Sequence, residues 1–381
     1  MKNKPAIRHA RLVLEDGSEY SGFHFGKARS QAGEVVFSTA MSGYAQMLSD
    51  PSYRGQILVA TCPLMGNTGI PVKRKNREPE LNRQGIPLHL ESGAVQVSGF
   101  VVAEACEQPS HYSSGATLSS WLEKNNIPGV YGIDTRALAI RLSTHGIMRG
   151  KILVEGSRDV TFDSGVIQHP VAEVSCSEVK VYTPFKEGEF SKSGAPVKIA
   201  LIDCGLKAGL LRYLLSRNAE VTCLPWNHDL KGQEYDGLLI SSGPGDPKAC
   251  GKIIATVRQA FDRKKPVFGI GLGSQIMALA AGGDTYRLSC GHYGHNLPCI
   301  EVKSQTCYIT SQNHSYSVRA ESLPSGWEPW FINANDGSIE GIRSVRRPFS
   351  AVQFYPEGQP GPFDALKVLD AFLKQAEDSK R

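Results

Sequence analysis

The sequence predicts an α/β protein of two domains: a C-terminal doubly wound domain behind an N-terminal mixed α/β domain. Three observations lead there. Strand-like and helix-like stretches alternate from Val197 onward, and such alternation builds right-handed crossovers over a parallel sheet. The 381 residues exceed one ordinary domain and suit two. Between Val154 and Pro196 the pattern weakens, and "FKEGEFSKSGAPV" has linker composition. The predicted division is therefore 1–150, a linker over 151–196, and 197–381.

The elements follow in order. "ARLVLEDGSEYSGFHFG" reads as two strands around an Asp-Gly turn. "ATLSSWLEKNNI" and "DTRALAIRLSTHG" have helical spacing, with a Thr or Asp near each start as cap candidate. In the C-terminal part "VKIALIDCG", "EVTCLPW", "YDGLLI" and "KPVFGIG" read as strands. "KAGLLRYLLSRNA", "CGKIIATVRQAFDRK" and "LGSQIMALAAGG" read as helices between and after them. Ligands of such sheets sit off the carboxyl ends of the strands. The turns "SSGPGDP" and "GIGLGSQ" are two of those ends, so both should face one site.

Composition narrows the function class. Hydrophobic residues make up 41% and charged residues 21%, a globular balance. A net charge of +5 without a Lys/Arg block argues against nucleic acid as partner. The most basic stretch, "VKRKNREPELNR", is broken by acidic residues and a proline. It reads as a solvated loop, with a partner contact as the alternative. No apolar run approaches the roughly 20 residues of a membrane helix. "MKNKPAIRHARLVLEDG" lacks an apolar core of signal-peptide length. A cytoplasmic protein without membrane contact is expected. Nine scattered cysteines suit free thiols better than a disulfide framework.

The chemistry-bearing motif is "PVFGIGLGSQ", a strand, a sharp turn and a helix. Such an elbow holds a nucleophile above a sheet, yet its tip, Gly271, has no side chain. Cys204 and Cys250 are the substitutes to weigh. A reactive thiol needs an electropositive setting or a base, and no candidate base stands beside Cys204. Cys250 begins a helix whose dipole would help, but a small half-buried residue is the plainer reading. Cys290, His292, His295 and Cys299 are residue types that bind zinc, at a spacing unlike the usual structural sites. The expectation is no metal, with His292 and His314 as structural histidines. "GPGDP" alone is an ordinary surface turn.

Taken together, "SSGPGDP", "FGIGLGSQ" and "AVQFYPEGQPGP" resemble class I glutamine amidotransferase domains. "MSGYAQMLSDPSYRGQIL" and "YGIDTRAL" narrow the resemblance to the small, glutaminase subunit of carbamoyl-phosphate synthetase, over nearly the full length. That resemblance implies a cysteine nucleophile at the elbow, a histidine base, and a glutamate that orients the histidine. It implies ammonia passed to a large subunit, which makes carbamoyl phosphate and holds the ATP, so this chain needs no cofactor. Carried over by position, the cysteine falls on Gly271, the histidine on Tyr355 and the glutamate on Glu357. The histidine three residues past the elbow cysteine becomes Ser274. Gly243 and Gly245 match the oxyanion-side glycines. Ser52, Leu272, Gln275 and Asn313 match glutamine contacts, and Ser315 and Tyr316 stand where the family tends to have Gly and Phe. A side chain at Ser315 and a hydroxyl at Tyr316 put glutamine binding in question.

A phenol with an ordinary pKa of about 10 is a poor base at pH 7. The expected function is thus a non-hydrolysing subunit that supports or regulates ammonia-dependent carbamoyl phosphate synthesis, in pyrimidine or arginine formation. The alternative is a free-standing pseudoenzyme that binds a small molecule, glutamine or a relative, in the old pocket. An amidotransferase with rewired catalysis would need a nucleophile that the sequence does not supply. Glu357 reads either as a leftover helix-cap carboxylate or as a retained site residue.

Overall fold

Alternating apolar positions set the faces of the strands, and the buried apolar residues gather into separate clusters in the two units. The computed structural model describes residues 8–184 and 194–380. Residues 1–7 of the N-terminal stretch and residues 185–193 of the predicted linker lie outside the described residues. One compact unit contains residues 8–168 with Ser289–Tyr293, and the other the remaining described residues from His169 on.

In the first unit the strands are β1 (His9–Leu14), β2 (Glu19–Gly26), β3 (Gln31–Ser38), β4 (Gln56–Ala60), β5 (Leu64–Met65), β6 (Gly99–Val101), β7 (Glu104–Ala105), β8 (Pro128–Tyr131) and β9 (Met148–Val154). The helices are α1 (Tyr44–Leu48), α2 (Leu118–Lys124) and α3 (Thr135–His145). The sheet closes into a barrel in the order β1-β2-β8-β6-β4-β3-β9, while β5 pairs with β7. The β1–β2 hairpin turns at Gly17, φ 87°. Thr117 and Asp134 cap α2 and α3, accepting from the Ser120 and Ala137 amides. Ile57, Val59 and Val101 enter one apolar cluster. Leu58 and Phe100, their neighbours along the same strands, enter another with Trp121 and Leu122 of α2. The barrel goes beyond the mixed α/β unit expected, because its closure rests on β1 pairing with β9, far along the chain.

The second unit holds α4 (Pro170–Val174), β10 (Lys180–Tyr182), β11 (Val197–Asp203), α5 (Ala208–Ser216), β12 (Ala219–Pro225), β13 (Gly237–Ile240), α6 (Gly251–Asp262), β14 (Val267–Ile270) and α7 (Leu272–Ala281). There follow β15 (Thr285–Glu301), β16 (Cys307–Val318), β17 (Trp327–Asn333), β18 (Ile339–Ser344), β19 (Phe349–Val352) and α8 (Leu366–Asp378). The sheet order is β10-β12-β11-β13-β14-β19-β18-β16-β15-β17. β12, β11, β13, β14 and β19 run parallel, as the alternation of elements implies. β19, β18 and β17 pair antiparallel, an extension the sequence pattern did not announce. Val267 packs with α6 and α7 residues such as Val257 and Met277. Its neighbour Phe268 stacks on Phe372 of α8 at 5.3 Å, so helices cover both faces. The stretch 151–196 is not one plain connection: β9 ends within it, and α4 and β10 lie in it.

Candidate functional site

The elbow is formed by β14, Gly271 and α7. Gly271 has φ 56° and ψ −115°, a conformation that costs a residue with a side chain about 1–3 kcal/mol. Its amide donates to the Val352 carbonyl on β19 (2.9 Å). The turn has no slack. A Cβ on Gly273 would stand 2.3 Å from the Ile240 carbonyl oxygen, and one on Gly271 3.1 Å from Ser242 Cβ. The ends of β13 and β14 therefore meet, as their motifs imply.

Beyond β19 the chain carries Tyr355 and Glu357 into the interior, 5% and 2% exposed. The Tyr355 amide donates to the Ser311 carbonyl of β16 (2.9 Å). The Glu357 carboxylate is paired with Lys207: Nζ lies 2.8 Å from Oε1, with both side chains 1% exposed. The same ammonium lies 3.7 Å from the centroid of the Tyr355 ring. Lys207 sits in the turn between β11 and α5, ahead of Ala208. Burial, with the Lys207 charge second, pushes the His295 imidazole down to about 4, so His295 is neutral at pH 7. Lys207 and His295 were not read as part of this site. The signal for Lys207 was a lysine two residues past the glycine that follows the strand in "LIDCGLKAG". Nothing in the sequence assigns His295 to this group. Glu357 caps no helix among the described residues: α8 begins after Ala365. Its leftover-cap reading is corrected by the ion pair.

The other predicted positions are distributed as follows. Gly243 is required sterically, since a Cβ there would stand 2.1 Å from the Cys204 carbonyl oxygen. Gly245 has φ 94° and would meet the Pro170 ring at 2.6 Å. Leu272 and Ser274 are buried on α7. Gln275 spends its amide N–H groups on the Tyr316 carbonyl and Gln353 Oε1, both at 3.0 Å. Asn313, Ser315 and Tyr316 lie on β16. Asn313 Nδ2 is buried with no hydrogen-bond partner among the described residues. His314 has Nδ1 2.9 Å from the Tyr316 carbonyl oxygen and Nε2 3.2 Å from Gln312 Oε1. Ser52 belongs to the first unit, buried in a turn where its amide donates to Asp50 Oδ1 (2.9 Å).

The substitute nucleophiles are unsuited. Burial pushes the Cys204 thiol well above its ordinary range and Cys250 up to about 11, so the helix start does not prevail at Cys250. Cys290, His292, His295 and Cys299 all lie on strand β15. A strand rises about 3.3 Å per residue, so the ten residues from Cys290 to Cys299 span far more than one ion. The basic loop over 72–83 keeps Lys73, Arg74, Lys75, Arg77 and Arg83 exposed, as a solvated loop does. Among the described residues no helix is long and apolar enough to cross a membrane.

Comparison with known proteins accounts for both units. Residues 12–152 match the family described as carbamoyl-phosphate synthase small chain, CPSase domain. Residues 200–375 match glutamine amidotransferase class-I. The chain is 44% identical over 377 residues to multifunctional protein pyr1-3 of Dictyostelium discoideum, covering 95% of this chain and 17% of that protein. It is 43% identical over 375 residues to multifunctional protein CAD of Squalus acanthias, covering 97% and 16%. To carbamoyl-phosphate synthase (ammonia), mitochondrial, of Homo sapiens it is 41% identical over 373 residues, covering 97% and 24%. The chain thus spans about a fifth of the length of the curated relatives it matches.

Proposed function

This chain belongs to the carbamoyl-phosphate synthase small-chain family, with a class I glutamine amidotransferase domain in its C-terminal half, and we propose that it is a member that does not hydrolyse glutamine. On this reading it supports or regulates a large chain that makes carbamoyl phosphate from ammonia, bicarbonate and ATP. The observation that carries it is Gly271 at the elbow tip, where the family's cysteine would stand. Removing the nucleophile from a triad hydrolase costs about 10⁶ in kcat, ~8 kcal/mol. The Lys207–Glu357 pair adds support. The carboxylate that would orient an imidazole at position 355 is held by an ammonium beneath a phenol ring instead. The human relative's name specifies ammonia, which fits a chain without glutaminase chemistry. That name also specifies mitochondria for the relative. A cytoplasmic location for this chain remains part of our reading, and cell fractionation checks it.

Two measurements test the proposal. Purified chain, with or without the large chain of the same organism, is expected to release no glutamate from glutamine above background. Release at about 1 s⁻¹, an ordinary enzymatic rate, overturns it. At micromolar concentration the large chain is expected to retain this one, and the pair to make carbamoyl phosphate from ammonia but not from glutamine. Failure of retention leaves the free-standing pseudoenzyme. The unpartnered Asn313 Nδ2 favours one addition: a small ligand with a carbonyl or carboxylate still binds. Calorimetric titration with glutamine checks this, and absence of heat in the millimolar range removes it.

A further inference from the structure

Away from the elbow, three side chains with metal-binding chemistry converge. Cys176 lies between α4 and β10, Asp203 ends β11, and Cys223 sits in β12. The two sulfurs are 3.8 Å apart, and one ligand atom from each of the three residues lies within 4.8 Å of the others. Cys223 and Asp203 are buried and Cys176 is half-buried. Zinc holds thiolate sulfur at about 2.3 Å in a tetrahedron, which sets two sulfurs about 3.8 Å apart. The observed separation suits a shared ion without movement. A disulfide needs about 2.05 Å, so the sulfurs would have to close by about 1.8 Å.

Asp203 is already held in place. Its Oδ1 accepts from the Gly205 and Leu206 amides (2.9 and 2.7 Å), and its Oδ2 accepts from the Cys176 amide (2.8 Å). A carboxylate has about four acceptor sites, so Oδ2 keeps one for an ion. Outer hydrogen bonds of this kind orient metal ligands.

We propose that Cys176, Cys223 and Asp203 bind a zinc ion that fastens β10 and the Lys207 turn to the parallel sheet. Two thiols lose their protons to solvent as two Zn–S bonds form, the carboxylate supplies the third ligand and a water the fourth. Two thiolates with one carboxylate suit zinc over magnesium or calcium. The fastening follows from the neighbours. The Trp226 amide donates to Ser175 Oγ (2.9 Å), Lys180 of β10 pairs with Cys223, and the amides held by Asp203 lead directly to Lys207. The ion joins the start of the second unit to the turn behind the site.

The test uses the full chain, stripped by a chelator under reducing conditions and then given zinc or cobalt(II). Expected are one ion per chain, a thiolate-to-cobalt charge-transfer band, and a rise in Tm with zinc. Cys176→Ser and Cys223→Ser should each weaken zinc binding at least about 100-fold, more than loss of an outer partner does. Cys307→Ser, at an exposed cysteine, should change nothing. If Cys223→Ser fails to fold, the half-buried Cys176→Ser decides. The proposal falls if desalted chain keeps no zinc, if Cys176→Ser binds zinc as wild type does, or if bound cobalt shows no thiolate band. It falls equally if the reduced chain takes up no zinc and air converts the pair to a disulfide, seen as a mass loss of two hydrogens.

Discussion

An ammonium buried between a phenol ring and a carboxylate is the most consequential detail of the site. Lys207 and Glu357 are both 1% exposed, and removing one member of such a pair leaves an uncompensated charge costing about 3–5 kcal/mol. Lys207→Met should therefore lower unfolding free energy by about that much, while Lys207→Met with Glu357→Gln should lose clearly less. Urea denaturation checks both, and equal losses would mean that the pair is not the cause. Building a triad at the elbow follows the same geometry. Gly271→Cys alone should stay unlabelled by a thiol-reactive glutamine analogue, having no imidazole at position 355 and a strained φ of 56°. Gly271→Cys with Tyr355→His should be labelled, and more so with Ser315→Gly. Equal labelling of single and double variants would place the base elsewhere. His295 provides a pH test. Its folded pKa of about 4 lies below the ordinary 6.5. The unfolded chain thus takes up the proton first, and stability present above pH 6.5 is lost as pH falls towards 4. The loss is at most about 3 kcal/mol, and His295→Gln should flatten the decline.

The elbow and its neighbouring helix make opposite predictions for the same substitution. Gly273→Ala puts a methyl 2.3 Å from the Ile240 carbonyl oxygen, an overpacking cost of about 1–3 kcal/mol or more. Gly251→Ala, at the first residue of α6, meets nothing within 4 Å. It should be neutral to stabilising by up to about 1 kcal/mol, through lower entropy of the unfolded chain. Thermal unfolding distinguishes them, and a destabilised Gly251→Ala would mean that this helix start is crowded. Elements of this size were readable in the sequence because their signals are local. The Asp-Gly turn, the Thr117 and Asp134 caps and the strand-to-helix alternation each act over a few residues. The antiparallel extension β15–β18 was not readable in that way, since its long strands carry no turn signal as regular as the alternation before them.

For the molecule as a whole, binding energy towards a large chain is expected to sit in the first unit, with the elbow site contributing little. A stable heteromeric interface buries about 1,200–2,000 Å² or more. Residues 1–168 alone should therefore be retained by the large chain, and residues 169–381 only weakly. Lys207→Met in the full chain should leave retention unchanged. Comparable retention of both fragments would overturn this division of labour.

The glycine at the elbow tip was legible without coordinates. Gly271 is read directly from "GIGLGSQ", and its positive φ is what a tight elbow demands of whichever residue stands there. The two-part organisation and the parallel half of the second sheet were legible too, because hydrophobic period and turn chemistry repeat along the chain. Other features were settled by packing. Barrel closure depends on β1 finding β9. The ion pair depends on the turn after β11 and the segment after β19 converging in one interior. The Cys176–Asp203–Cys223 group depends on the adjacent strands β11 and β12 and the segment after α4 coming together. Each joins residues distant in sequence. No local pattern encodes which strands become neighbours, and burial is what turns their side chains into partners.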